Sequence, residues 1–61
     1  MMQAIEIQEH ARKMLSAHGD RAVVEAAHKA KSYEESGNAD EAATWRRIEK
    51  ALLQMRGPRA S

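Results

Sequence analysis

Two glycine-containing pairs, Gly19-Asp20 and Gly37-Asn38, divide this chain of 61 residues into three segments of helix length. Glycine ends a helix readily because it adopts the left-handed conformation without a steric clash at Cβ. Asp20 and Asn38 are of the residue types that cap the N-terminus of a following helix. The spacing therefore predicts three helices, over about residues 2–18, 21–36 and 39–56.

The apolar residues of each segment recur at helical spacing, which places them on one face at about 100° per residue. In the second segment small residues cover about half of the circumference, so we expect this helix to lie in the middle. The predicted fold is all-α, a small three-helix domain made of an N-terminal helix and an αα-hairpin. The domain spans residues 1–57, and residues 58–61 form a short tail. The predicted core consists of Ile7, Ala11, Met14, Leu15, Val23, Ala26, Ala27, Ala30, Tyr33, Ala42, Trp45, Ile48, Leu52 and Met55.

The stretch SGNADEAATW, residues 36–45, predicts the corner of the hairpin. Gly37 ends one helix, and Asn38 with Glu41 three residues later forms a capping-box pattern for the next. Trp45 offers the largest single apolar surface in the chain and is expected to stabilise this corner by packing against it. The residues to which we assign structural roles are Gly19, Asp20, Gly37, Asn38, Glu41 and Trp45.

Large apolar residues are scarce for a chain that has to fold alone. Twelve alanines account for much of the 43% apolar content and leave 14 larger apolar residues. A domain of this size buries only about 60% of its unfolded-state surface, and without cysteine no disulfide can help. We therefore expect a second chain to complete the core. Ile5 and Leu53 fall outside the apolar stripes and are the candidate interaction surface, with simple solvent exposure as the alternative.

Basic residues concentrate in the C-terminal third of the chain. The candidate basic patch consists of Arg46, Arg47, Arg56 and Arg59. Three helices in about 60 residues is also the size of small helix-turn-helix DNA readers. However, Glu41 and Glu49 interrupt the patch and the formal net charge is only +1, whereas phosphate binding requires a concentrated positive face. A small nucleic-acid-binding regulator is therefore an alternative to the main prediction.

Histidines raise the question of a metal site. Glu25 and His28 have the i, i+3 spacing that di-iron helix bundles use, but such sites need two of these motifs and two further carboxylates. A metal-binding helical oligomer is a third alternative, and no metal ligand or cofactor is predicted. His18 ends the first helix on its apolar face, where we expect it to bond the last carbonyls and to confer mild pH sensitivity.

Catalysis is not expected from this sequence. It lacks cysteine, a nucleophile-elbow glycine pattern and a phosphate-binding glycine loop. The N-terminus carries acids where a signal peptide carries basic residues, and no apolar run reaches membrane-spanning length. We predict a cytoplasmic, non-catalytic protein-interaction module or small accessory subunit, acting through helix packing with itself as a homodimer or with another protein. No membrane contact or small-molecule substrate is expected.

Two resemblances support the helical interpretation. GNADEA, residues 37–42, resembles the turn of a tetratricopeptide repeat, although that repeat places an aromatic residue where Arg46 stands and a small residue at Glu49. HGDRA, residues 18–22, together with TWRRIEKAL, residues 44–52, resembles a group of short uncharacterised helical proteins of alphaproteobacteria. That resemblance implies a bacterial source and a compact helical fold, and it implies nothing about activity.

Overall fold

Residues 4–56 form three α-helices joined by two tight turns. The computed structural model describes the backbone of residues 4–56 and the side chains of residues 5–55. Helix α1 covers Ala4–His18, α2 covers Arg21–Glu35 and α3 covers Ala39–Arg56. The predicted all-α, three-helix fold is confirmed. The predicted start of α1 at residue 2 and the predicted tail, residues 58–61, lie outside the described residues.

The turn between α2 and α3 is a Schellman motif. Gly37 has a φ of 82°, which an L-residue with a Cβ adopts only with strain. Its N–H donates to the carbonyl of Glu34 at 3.3 Å, and the N–H of Asn38 donates to the carbonyl of Tyr33 at 2.8 Å. The carbonyl of Asn38 then accepts the N–H of Ala42 at 3.0 Å. The N–H of Asn38 therefore bonds to the last turn of α2, and its carbonyl accepts a bond from the first turn of α3.

The turn between α1 and α2 is simpler. Gly19 has a φ of 62°, and its N–H donates to the carbonyl of Leu15 at 2.8 Å, the single bond of an αL motif. Asp20 already has helical dihedrals, φ −61° and ψ −22°, and its side chain makes no capping hydrogen bond. The prediction of a side-chain cap at Asp20 was wrong, because such a cap requires a non-helical backbone at this position.

Helix α3, rather than α2, is the central element of the fold. The contact between α2 and α3 is the most extensive, that between α1 and α3 is next, and that between α1 and α2 is the smallest. The prediction that the second helix lies in the middle was therefore wrong. The physical reason is side-chain size, because the two largest fully buried side chains, Ile48 and Leu52, both belong to α3.

The core contains more alanine than larger side chains. The buried apolar residues are Ile7, Ala11, Ala22, Ala26, Ala30, Ala42, Ile48, Ala51 and Leu52. Six of these nine are alanine, so the helices approach closely along small residues. The remaining predicted core residues, Met14, Leu15, Val23, Ala27, Tyr33, Trp45 and Met55, are partly buried. Ala22 and Ala51 belong to the core and were missing from the predicted set.

Candidate interaction surfaces

Three large aliphatic side chains are exposed in the described part of the chain. Ile5 is 69% exposed, Val24 is 56% exposed and Leu53 is 46% exposed. Val24 was missing from the predicted surface, which contained only Ile5 and Leu53. Its neighbours Ala22 and Ala26, two residues to either side, are fully buried. Since two residues correspond to about 200° of helix, Val24 faces solvent.

Val24 lies on α2 and Leu53 lies on α3, the two helices of the hairpin. Glu34 and Arg46 pair across the hairpin, with 3.1 Å between the carboxylate Oε2 and the guanidinium Nε. Seven residues along a helix return to nearly the same side, so Ala27 on α2 and Leu53 on α3 lie level with each other on that side. Val24 is one turn before Ala27. We call Val24, Ala27 and Leu53 the seam patch.

Ile5 belongs to a separate surface. It lines a shallow concavity whose other lining residues, Gln8, Glu9 and Arg12, all come from α1. Ile5 is also two residues from the buried Ile7 and therefore points away from the bundle. Leu53 does not line this concavity. The two residues of the predicted interaction surface thus lie in different places.

Arg46, the first residue of the predicted basic patch, is engaged by two carboxylates. Its Nε and Nη2 each donate to Glu34 at 3.1 Å, and its Nη1 donates to Glu49 at 3.1 Å. The hydrogen bonds from Arg46 hold the pKa of Glu34 below the ordinary value for glutamate. The same hydrogen bonds, to Glu34 and then Glu49, raise the pKa of Arg46. This guanidinium is therefore balanced by neighbouring acids rather than presented to a phosphate.

Arg47 lies on another side of α3 and lines a groove between α1 and α3. We call this feature the α1–α3 groove. Its lining residues are Ile7, Gln8, Arg47, Lys50, Ala51 and Gln54. The predicted patch is therefore divided between Arg46 on the α2 side and Arg47 on the α1 side. The side chain of Arg56 and the whole of Arg59 lie outside the described residues.

Trp45 contacts one side chain from each of the other two helices. The ring of His10, on α1, meets it edge-on, with 5.5 Å between the ring centroids and an interplanar angle of 81°. The Nζ of Lys29, on α2, lies 5.4 Å from the centroid of Trp45, a cation–π distance. Trp45 is half-buried, so it packs against the core and remains partly accessible to solvent. Sequence patterns could not identify these partners, because they are distant from Trp45 along the chain.

The histidine and acid positions do not assemble into a metal site. The Nδ1 of His18 lies 3.3 Å from Oε2 of Glu25, in place of the predicted bond to the carbonyls at the end of α1. Glu25 thus faces α1 rather than sharing a site with His28. Among residues 4–56 no group of three or more His, Cys, Asp or Glu residues is placed to hold a metal ion.

Comparison of the chain with protein-family models, curated proteins and solved structures finds no match. The resemblance to short alphaproteobacterial proteins therefore stays a prediction. Within the described residues, no helix combines the length and apolar character that crossing a bilayer requires.

Proposed function

We propose that this chain is a non-catalytic protein-interaction module that self-associates as a homodimer through the seam patch. One observation carries the proposal: among residues 5–55, the core is built largely from alanine while three large aliphatic side chains stay exposed. Burying a large aliphatic side chain contributes roughly 1.5–3 kcal/mol. A fold this short of buried volume gains stability when another surface covers Val24 and Leu53.

The apolar composition of the seam patch suits a second copy of the chain. Two-fold symmetry would bury Val24 and Leu53 of both copies in one interface. Ala27, one turn after Val24 on α2, is small and half-buried, so a partner helix can approach the hairpin closely. Two hairpins packed in this way make a four-helix arrangement, a common solution for helices with an unsatisfied apolar face.

The alternatives have less support from the described side chains. Nucleic-acid binding requires a concentrated positive face, and Arg46 is already paired with Glu34 and Glu49. A metal-binding oligomer using Glu25 and His28 requires a free carboxylate, and that of Glu25 faces His18. The proposal of a non-catalytic role rests on the sequence, which offers no recognisable nucleophile or phosphate-binding motif.

Sedimentation equilibrium of the full chain over a wide concentration range tests self-association. We expect a monomer–dimer equilibrium, with dissociation constants at least tenfold larger for Leu53→Asp and for Val24→Asp. Ile5→Asp is the matched control, because it makes the same kind of change at an exposed aliphatic residue outside the seam patch. Circular dichroism establishes that each variant keeps its helical content.

Two results would count against this proposal. An equal loss of association in Ile5→Asp would exclude the seam patch as the specific surface. A wild-type chain that stays monomeric at millimolar concentration would exclude the homodimer. A pull-down from the native host with wild-type, Leu53→Asp and Ile5→Asp baits then decides the wider role. If a stoichiometric partner is lost only with Leu53→Asp, the chain is an interaction module whose seam patch binds another protein instead of a second copy. If no partner is recovered, the interaction-module proposal is refuted.

A further inference from the structure

The α1–α3 groove differs in chemistry from the rest of the described surface. Two cationic side chains, Arg47 and Lys50, stand at i and i+3 on α3 and are therefore neighbours on one helix face. Gln8 from α1 and Gln54 from α3 add two amides. Ile7 is 6% exposed and Ala51 is 9% exposed, so together they form an apolar floor. None of the described side chains that line this groove is acidic.

These donors match a carboxylate held on a peptide. The guanidinium of Arg47 can donate two parallel hydrogen bonds to one carboxylate, and the ammonium of Lys50 adds a second positive charge. A glutamine amide both donates and accepts, which is what the N–H and C=O groups of a peptide backbone require. The lining therefore offers charge to an acidic side chain and hydrogen bonds to the chain that carries it.

The apolar floor favours a protein segment over a nucleic acid. Ile7 and Ala51 can receive the methylene or methyl groups of an amino-acid side chain, whereas the phosphate groups on which nucleic-acid affinity depends make no apolar contact. Nucleic-acid affinity depends on neutralising many phosphates, whereas the described lining of this groove has two cationic side chains. The neighbouring Arg46 adds no free charge, because Glu34 and Glu49 balance it.

We propose that the α1–α3 groove binds an acidic segment of a partner protein, with Arg47 and Lys50 holding a Glu or Asp carboxylate above the floor formed by Ile7 and Ala51. This site goes beyond self-association and does not depend on it. Arg47 and Leu53 are six residues apart, about 120° around α3, and so face different sides. The two proposals can therefore fail independently.

Two-dimensional 15N NMR titration of the full chain at low salt tests the site. The probe is the capped hexapeptide Ala-Glu-Leu-Glu-Ala-Glu, and its matched control replaces each Glu by Gln. We expect saturable amide shifts centred on Arg47, Lys50 and Ala51 with the Glu peptide, and at least tenfold weaker binding of the Gln peptide. The double variant Arg47→Gln/Lys50→Gln is expected to lose at least tenfold in affinity for the Glu peptide.

The control variant Arg21→Gln/Lys31→Gln removes the same charge from exposed positions on α2 and is expected to bind as the wild type does. If both double variants bind the Glu peptide equally weakly, the loss of affinity comes from net charge alone, and the proposed site is overturned. Absence of saturable shifts, or shifts centred on the seam patch, would also overturn it. Tighter binding of hexathymidylate than of the Glu peptide in the same groove would replace the acidic protein segment with a nucleic acid.

Discussion

The α2–α3 hairpin and the attachment of α1 to it are held together by different means. In the hairpin, Ala26, Ala30 and Ala42 are buried and allow the two backbones to approach closely. A Schellman turn and the Arg46–Glu34 pair connect the same two helices. α1 instead contributes larger side chains, among them the buried Ile7 and the half-buried Met14 and Leu15. Its turn at Gly19 has a single closing hydrogen bond from the glycine N–H.

This contrast separates two routes to helix packing. Where helices approach closely along alanine, many short contacts stabilise the packing, and a larger side chain would force the helices apart. Packing through larger side chains stabilises through buried volume, which truncation removes. The buried alanine positions should therefore be sensitive to enlargement, and the larger core side chains to truncation.

Truncating Leu52 should have the largest effect, because this side chain is fully buried on the helix that contacts both of the others. We expect Leu52→Ala to lower the free energy of unfolding by about 2–5 kcal/mol, measured by urea denaturation with Trp45 fluorescence. Its neighbour provides the control, since Leu53 is 46% exposed and Leu53→Ala should change stability by only about 0.5 kcal/mol in dilute solution. Similar losses of unfolding free energy for Leu52→Ala and Leu53→Ala would show that α3 presents a different face to the core.

Enlarging an alanine in the hairpin should come next. Ala26 is fully buried, so Ala26→Leu is expected to destabilise the domain by about 1–3 kcal/mol through overpacking. Ala43→Leu adds the same atoms at an exposed position of α3 and should be nearly neutral. Thermal melting followed by circular dichroism compares the two. A stable Ala26→Leu variant would mean that the hairpin does not depend on close approach.

Replacing the turn glycines should have a smaller effect, which compares the two turns directly. Neither glycine has an atom within 4 Å of an added Cβ, so the penalty comes only from positive φ, about 1–2 kcal/mol. We expect Gly37→Ala to be the more harmful, because two hydrogen bonds of the Schellman turn depend on it, against one at Gly19. D-alanine at either position in a synthetic chain should restore stability. Failure of D-alanine to do so would point to a steric rather than a backbone cause.

The Arg46–Glu34 pair should contribute least, because both side chains are exposed and water screens the interaction. The pKa of Glu34 is lowered in the folded state by its hydrogen bonds from Arg46. The stabilisation from this pair is therefore present above the pKa of the unfolded state and is lost as the pH falls through the lower folded value. We expect the melting temperature of Glu34→Gln to fall slightly less than that of the wild type as the pH is lowered into the acidic range. Above pH 6 the melting temperatures of the two proteins should change with pH in nearly the same way. An unchanged profile below pH 4 would exclude this coupling.

Local signals in the sequence were enough to predict where the helices lie. The left-handed glycines at 19 and 37 and the period of the apolar residues act within a few residues of where they stand. Most of the predicted core is buried or half-buried for the same reason. The candidate site was harder to predict. Leu53 and Ile5 were recognised as apolar residues outside their stripes, whereas Val24 and the α1–α3 groove depend on which side of each helix meets a neighbour.

The sequence by itself determined three helices, their turns and the shortage of large core residues, because helix periodicity and glycine conformation depend on short-range sterics. Only the tertiary structure decided that α3 is central and that Glu25 pairs with His18. It also decided that His10, Lys29 and Trp45 meet. Helical periodicity says which residues share a face but not which neighbour that face contacts. That choice depends on side-chain size and charge across distant parts of the chain.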